Sequence, residues 1–118
     1  MASDQPIIGI DLGGTNMQVG LVPGGVDADK RSLLGRSRSK TKSDQGLEAV
    51  LDRIVATARE ACEDAGIDIK DALGVGIGAP GAIDHPTGTV LVAPHLGWEN
   101  APLASMLSER FGQPGVVD

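Results

Sequence analysis

The stretch Pro6-Ile7-Ile8-Gly9-Ile10-Asp11-Leu12-Gly13-Gly14-Thr15-Asn16-Met17-Gln18-Val19-Gly20-Leu21-Val22 decides the fold. Residues 6–12 are short, apolar and β-branched, and Gly13-Gly14 stops them, which reads as a strand. From Asn16 the pattern alternates, with Met17, Val19 and Leu21 set against Gln18, Gly20 and Val22. Two strands joined by a Gly-Gly turn predict an antiparallel hairpin. The turn itself has two readings. It is either a primed hairpin turn with a carboxylate bonded to local amides, or a phosphate cradle. In the second reading the glycines present bare N–H groups, Thr15 and Asn16 add donors, and Asp11 suits a Mg2+ that travels with the phosphates.

Working outward, a turn spans Pro23 to Asp29 and a third strand is expected over Ser32–Ser39. Arg36, Arg38, Lys40 and Lys42 fall at period two, so an extended chain sets them on one face. They read as the charged rim of an edge strand or as a phosphate or nucleic-acid strip; no aromatic residue is interleaved for base stacking. Asp44 to Ala65 is the clearest helix, with Leu47, Val50, Leu51, Ile54, Ala58, Ala61 and Ala65 on one face. Ser43 or Asp44 is the expected N-cap, and Gly66 stands where a terminating glycine belongs. Cys62 lies near the apolar face and reads as a small core filler.

Ala72–Ala79 predicts a strand with Leu73, Val75 and Ile77 on one side and Gly74, Gly76 and Gly78 on the other. A glycine face admits a close neighbour, be it helix, backbone or ligand. Asp84–Gly88 reads as a turn before a short strand at Thr89–Val92. Asn100 is the expected cap of a second helix carrying Leu103, Met106, Leu107 and Phe111, with Pro102 in its first turn. A last strand starts at Gly115. His85 and His95 each sit in a Pro-flanked turn and read as solvated loop residues.

Composition narrows the function. The chain has 118 residues, a net charge of −6, one cysteine, one Phe, one Trp and no Tyr, so the core is expected to be aliphatic. A single cysteine excludes an intramolecular disulfide and a cysteine-built zinc site. The acidic balance disfavours nucleic acid and anionic membranes as partners. No apolar stretch approaches the length of a bilayer span and the N-terminus carries no leader pattern, so a cytoplasmic setting is expected. Gly76-Ile77-Gly78-Ala79-Pro80-Gly81 fits the dinucleotide fingerprint in letters, but a turn follows it where the fingerprint needs a helix. A Walker-A sequence is absent.

Asp11-Leu12-Gly13-Gly14-Thr15, with Gly20 five residues on, resembles the first phosphate motif of sugar kinases in the actin/hexokinase superfamily, and within it the ROK family (repressors, open reading frames and kinases). Gly74 to Gly81 with Ala82-Ile83-Asp84 resembles that family's glycine strand and Gly-x-Pro-Gly loop. Leu96-Gly97-Trp98-Glu99-Asn100-Ala101-Pro102-Leu103 resembles its Gly-Trp segment, in the form seen in bacterial glucokinases.

The resemblance implies an α/β, ribonuclease-H-like domain: a mixed five-stranded sheet with flanking helices, forming the N-terminal part (1–118) of a two-domain kinase. It implies ATP and Mg2+ at Asp11, Gly13, Gly14, Thr15 and Asn16, and a hexose, glucose first, along Gly78, Ala79, Pro80 and Gly81. It assigns no catalytic residue to this stretch: the family's base is the Asp of an Asn-Asp pair, and Asp118 holds the position before that pair. It leaves room for a homodimer of the full-length protein. The alternatives are a sugar-responsive repressor of the same family and a non-catalytic sugar-binding relative. Six residues precede Ile7, too few for the repressors' helix-turn-helix, so a kinase is expected.

Overall fold

The computed structural model describes residues 6–22, 34–72, 74–79, 81–84, 87–93, 96–112 and 115–117. The expected turn at Pro23–Asp29, together with Ser32, Leu33 and Leu73, lies outside them. The chain runs β1 (Ile7–Leu12), β2 (Asn16–Val22), β3 (Gly35–Lys40), α1 (Leu47–Ala65), β4 (Gly74–Gly78), β5 (Ala82–Asp84), β6 (Thr89–Ala93), β7 (Trp98–Ala101), α2 (Leu103–Phe111) and β8 (Gly115–Val117).

The main sheet has the order β3-β2-β1-β4-β8. β1 pairs antiparallel with β2, and β2 with β3, while β1–β4 and β4–β8 are parallel. α1 forms the crossover that parallel pairing requires. The α/β class and the mixed sheet are as expected, but the chain is not one sheet with helices. A second, antiparallel sheet, β5-β6-β7, stands apart from the first.

Alternation sets the layers. Ile8, Ile10 and Leu12 of β1, Met17, Val19 and Leu21 of β2, and Val75 and Ile77 of β4 are buried. They belong to one core with Val50, Leu51, Ile54, Ala58 and Ala61 of α1. Each such Val, Leu, Ile or Met side chain contributes about 1.5–3 kcal/mol on burial. Gly35 lets β3 approach α1: a Cβ there would stand 2.3 Å from the Ala61 carbonyl oxygen and 2.8 Å from the Ala65 nitrogen. The same core continues through Val90, Trp98, Leu103, Leu107 and Phe111. On the surface, Arg110 of α2 donates to Glu48 and Asp52 of α1.

The helix ends differ from expectation at both N-termini. Ser43–Gln45 is a separate 3-10 turn, and Gly46 at φ 96° precedes α1, so neither Ser43 nor Asp44 caps it. Asn100 does not cap α2. It lies in β7 at φ 52°, and Pro102 precedes the helix. The backbone of the β5–β6 turn takes over, with the Ala104 amide donating to the Gly88 carbonyl at 3.0 Å. Gly66 closes α1 as expected, at φ 74° with its amide on the last-turn carbonyls.

Candidate functional site

Parallel pairing brings the carboxyl ends of β1 and β4 to the same edge of the sheet, the place where open α/β sheets take ligands. Asp11 stands directly opposite Gly78 across the β1–β4 ladder and opposite Gln18 on the β2 side. The two candidate motifs, more than sixty residues apart in sequence, are therefore neighbours. Asp11, Thr15 and Asn16 are exposed, Gly13 and Gly14 half-buried. Gly78 is exposed and Ala79 half-buried; Pro80 lies outside the described residues, as do His85, His95 and Asp118.

The Asp11–Asn16 turn is not the two-residue primed turn that one sequence reading allows. Leu12 and Met17 are the last paired residues, with Gly13 to Asn16 beyond them, and neither Gly13 nor Gly14 is among the glycines with positive φ. The loop closes through the Gly13 amide on the Asn16 carbonyl at 3.0 Å. That closeness explains Gly13, because a Cβ would sit 2.9 Å from the same oxygen.

Two further carbonyls of the turn, those of Gly13 and Thr15, are tied back into the protein by one residue that sequence reasoning missed. Thr41 is fully buried; its hydroxyl donates to the Gly13 carbonyl at 2.8 Å and its amide to the Thr15 carbonyl at 2.8 Å. The Thr41 carbonyl in turn accepts from Arg53 Nη1 of α1 at 2.9 Å, and Arg53 Nη2 reaches Gln45 at 2.7 Å. Thr57, also buried, donates to the Arg53 carbonyl and pairs with Ser39. Thr41 follows a tract of alternating basic residues, and no local pattern marks it as different from them.

On the β4 side, Gly78 has open space where a Cβ would go, the nearest atom being the Ile10 carbonyl oxygen at 3.9 Å. Gly81 does not. At φ 101° its Cβ would meet the Val92 carbonyl oxygen at 2.1 Å, so this glycine is required by its seat on β6. A side chain at 81 would be strained there and would collide with β6 whether or not a sugar binds beside it. The run Gly76 to Gly81 leads into β5, not a helix, so the dinucleotide reading has no helix N-terminus to stand on.

The sheet face opposite α1 is open. Gly9, Asp11, Gln18, Gly20, Arg36 and Gly76 line a shallow groove of about 900 Å3 along it. β3 is an edge strand, as the edge reading requires, and Arg36, Arg38 and Lys40 are exposed on it. Arg38 pairs across from Gln18 and Lys40 from Asn16, which brings positive charge to the flank of the turn. Lys42 has left the strand at φ 51°. Cys62 is buried in the core, where desolvation, and secondarily the nearby Asp68 carboxylate, push its thiol above the ordinary value of 9.0.

Among the described residues no cluster of three His, Cys, Asp or Glu could hold a metal ion. The exposed Asp11 carboxylate beside a turn whose Gly13 and Thr15 carbonyls are tied inward nevertheless fits a hydrated Mg2+ delivered with phosphates, since that ion commonly takes only one or two protein carboxylates. No described helix is long and apolar enough to cross a membrane.

Comparison with known proteins gives the family and agrees with the fold. The ROK family profile matches residues 7–118. A glucokinase of Thermotoga maritima is 37% identical over 108 residues, which are 91% of this chain and 31% of that protein. A putative xylose repressor of a Caldicellulosiruptor species is 34% identical over 112 residues, 95% of this chain and 27% of the repressor. Among solved structures, a ROK family glucokinase from Streptomyces griseus in complex with glucose and AMPPNP superposes with a TM-score of 0.80 at 34% identity, covering 96% of this chain and 32% of that one. The chain thus spans about a third or less of the length of these relatives.

Proposed function

From the membership of this chain in the ROK family, we propose that the protein phosphorylates a hexose, glucose first, at the expense of ATP and yields the sugar 6-phosphate. Residues 1–118 are its N-terminal phosphate- and sugar-binding domain, and the second domain of the kinase completes the site in the cytoplasm. One observation carries the reading. Asp11 and its inward-tied turn stand beside Gly78 at the carboxyl edge of the parallel strands. A phosphate donor and an acceptor hydroxyl can meet along that edge.

Each residue then has a role in positioning and charge, which dominate phosphoryl transfer. Asp11 orients Mg2+. The turn Gly13, Gly14, Thr15 and Asn16 faces the phosphate oxygens, with the Gly14 amide and the Thr15 and Asn16 side chains as donors and the Gly13 amide closing the turn on the Asn16 carbonyl. Gly78, Ala79, Pro80 and Gly81 form one wall of the sugar pocket, with Gly81 shaping it from behind through its contact with β6. ATP supplies the transferred phosphoryl group. The acceptor of the sugar hydroxyl's proton is the Asp of the family's Asn-Asp pair, which follows β8. β8 runs parallel to β4, with Val117 opposite Ile77, so it points toward the same edge.

A sugar-responsive repressor is the second reading, favoured by the 34% and 35% identities to xylose repressors. Asp11→Ala in the full-length protein separates the two. The expected outcome is loss of at least 100-fold in kcat, with glucose affinity by calorimetry, measured without nucleotide, held within a few-fold. Wild-type protein that binds sugar, shows no turnover with ATP and releases DNA on sugar binding is the repressor. Loss of sugar affinity with turnover preserved would move Asp11 to the sugar pocket.

A further inference from the structure

We infer that Thr41, braced by Arg53, is a positioning residue that locks the Gly13–Gly14 peptide with its N–H toward the phosphate side; this rests on the phosphate reading of the turn. The argument begins with peptide geometry. A trans peptide is planar, and its C=O and N–H point in opposite directions. The Thr41 hydroxyl draws the Gly13 carbonyl inward at 2.8 Å, so the Gly14 N–H of the same peptide must point outward. The Thr41 amide fixes the Thr15 carbonyl in the same way, and the Gly13 amide holds that of Asn16. All three carbonyls between residues 13 and 16 with a partner are thereby turned away from an approaching anion, and none of them repels it.

A lock is needed because of the sequence that makes the turn possible. A peptide between two glycines has no Cβ on either side to oppose its rotation. Flipped, it would present the Gly13 oxygen where the Gly14 hydrogen belongs, replacing attraction with repulsion at a phosphate. One buried hydroxyl blocks that flip. Thr41 is itself held by three hydrogen bonds, the third from Arg53 to its carbonyl at 2.9 Å. Arg53 is anchored on the helix that packs the core, so the orientation of the turn is referred to the most regular element of the fold. Both act through the turn: Thr41 is fully buried, and Arg53 spends its guanidinium on the Thr41 carbonyl and Gln45.

Calorimetric titration of AMPPNP with Mg2+, and of glucose separately, into the full-length protein tests this without relying on turnover. Thr41→Val keeps the shape and removes the hydroxyl; Thr41→Ser keeps the hydroxyl. The expected result is a loss of about tenfold in AMPPNP affinity for Thr41→Val, the scale of one hydrogen bond. Glucose affinity should stay within twofold, and Thr41→Ser should bind AMPPNP as wild type does. Arg53→Met, which leaves the hydroxyl in place, should weaken AMPPNP by about threefold and serves if Thr41→Val does not fold. Unchanged AMPPNP affinity in the folded variants overturns the inference, as does an equal loss for nucleotide and sugar. A wild-type protein that binds glucose but not AMPPNP removes the phosphate reading itself, and the lock with it. Wild-type binding with silent variants removes only the lock.

Discussion

Two glycines three residues apart, about 10 Å of extended chain, one ending β4 and the other in the turn after it, behave as opposites. Gly81 is fixed by its own molecule: positive φ and a 2.1 Å approach to the Val92 oxygen leave no room for a methyl group. Gly81→Ala should cost at least the 1–3 kcal/mol or so of backbone strain, visible as a lower midpoint in denaturant with or without sugar. Gly78 is free of such contacts and lies in a strand, where a β-branched residue is well tolerated. Gly78→Val should therefore keep stability within about 0.5 kcal/mol while the new side chain stands beside Asp11, in the space assigned to the hexose. Equal hexose affinity in wild type and Gly78→Val would take Gly78 out of the sugar wall. The contrast also shows why a glycine in a candidate loop is weak testimony about a ligand until its neighbours are known.

At the scale of elements, α1 carries a group whose titration reports on its packing. Burial raises the Cys62 thiol, so the folded state holds that proton to higher pH than the unfolded chain does. Its contribution to stability is complete below the ordinary value of 9.0 and is lost as pH rises above it toward the folded value. Urea denaturation at pH 7 and pH 10 should show a smaller alkaline loss for Cys62→Ala than for wild type; equal losses would mean the thiol is not desolvated. The same helix, with the β1–β2 hairpin, was the most legible part of the sequence, because seven apolar positions at helical spacing and a strict alternation each leave one arrangement that buries them. β7 was not legible. Gly97 and Asn100 look like loop and cap chemistry, and only pairing with β6 makes a strand of Trp98–Ala101 with Asn100 at positive φ. The helix caps were hidden for a related reason: Gly88, sixteen residues before Ala104, supplies by backbone what a side chain was expected to supply. In the site, Asp11 and its turn could be read from residue types. Their adjacency to Gly78 came only with the β1–β4 pairing, and Thr41 only with its contact across the fold.

For the whole molecule, residues 1–118 hold the proposed phosphate turn and one sugar wall without the residue to which the family resemblance assigns proton acceptance. This stretch alone should therefore give no measurable turnover in a coupled glucose assay; a rate in the ordinary kinase range of about 1–100 s⁻¹ would place the base among its own residues. The order of the sheet has a further consequence, for the time at which the molecule can become itself. β1 is central, yet its second neighbour is β4, and Ile7 pairs with Gly74, a separation of 74 − 7 = 67 residues. On a ribosome adding roughly 5–20 residues per second, β1 waits on the order of 3–13 s for that partner. Throughout that interval the nascent hairpin offers an unpaired edge of Ile7, Ile8 and Ile10 to any other chain nearby. Gly9 and Asp11 interrupt that edge, one with little β propensity and the other with charge. The carboxylate assigned to Mg2+ in the finished protein would thus guard the strand against misassociation during its synthesis, before there is a site for it to serve.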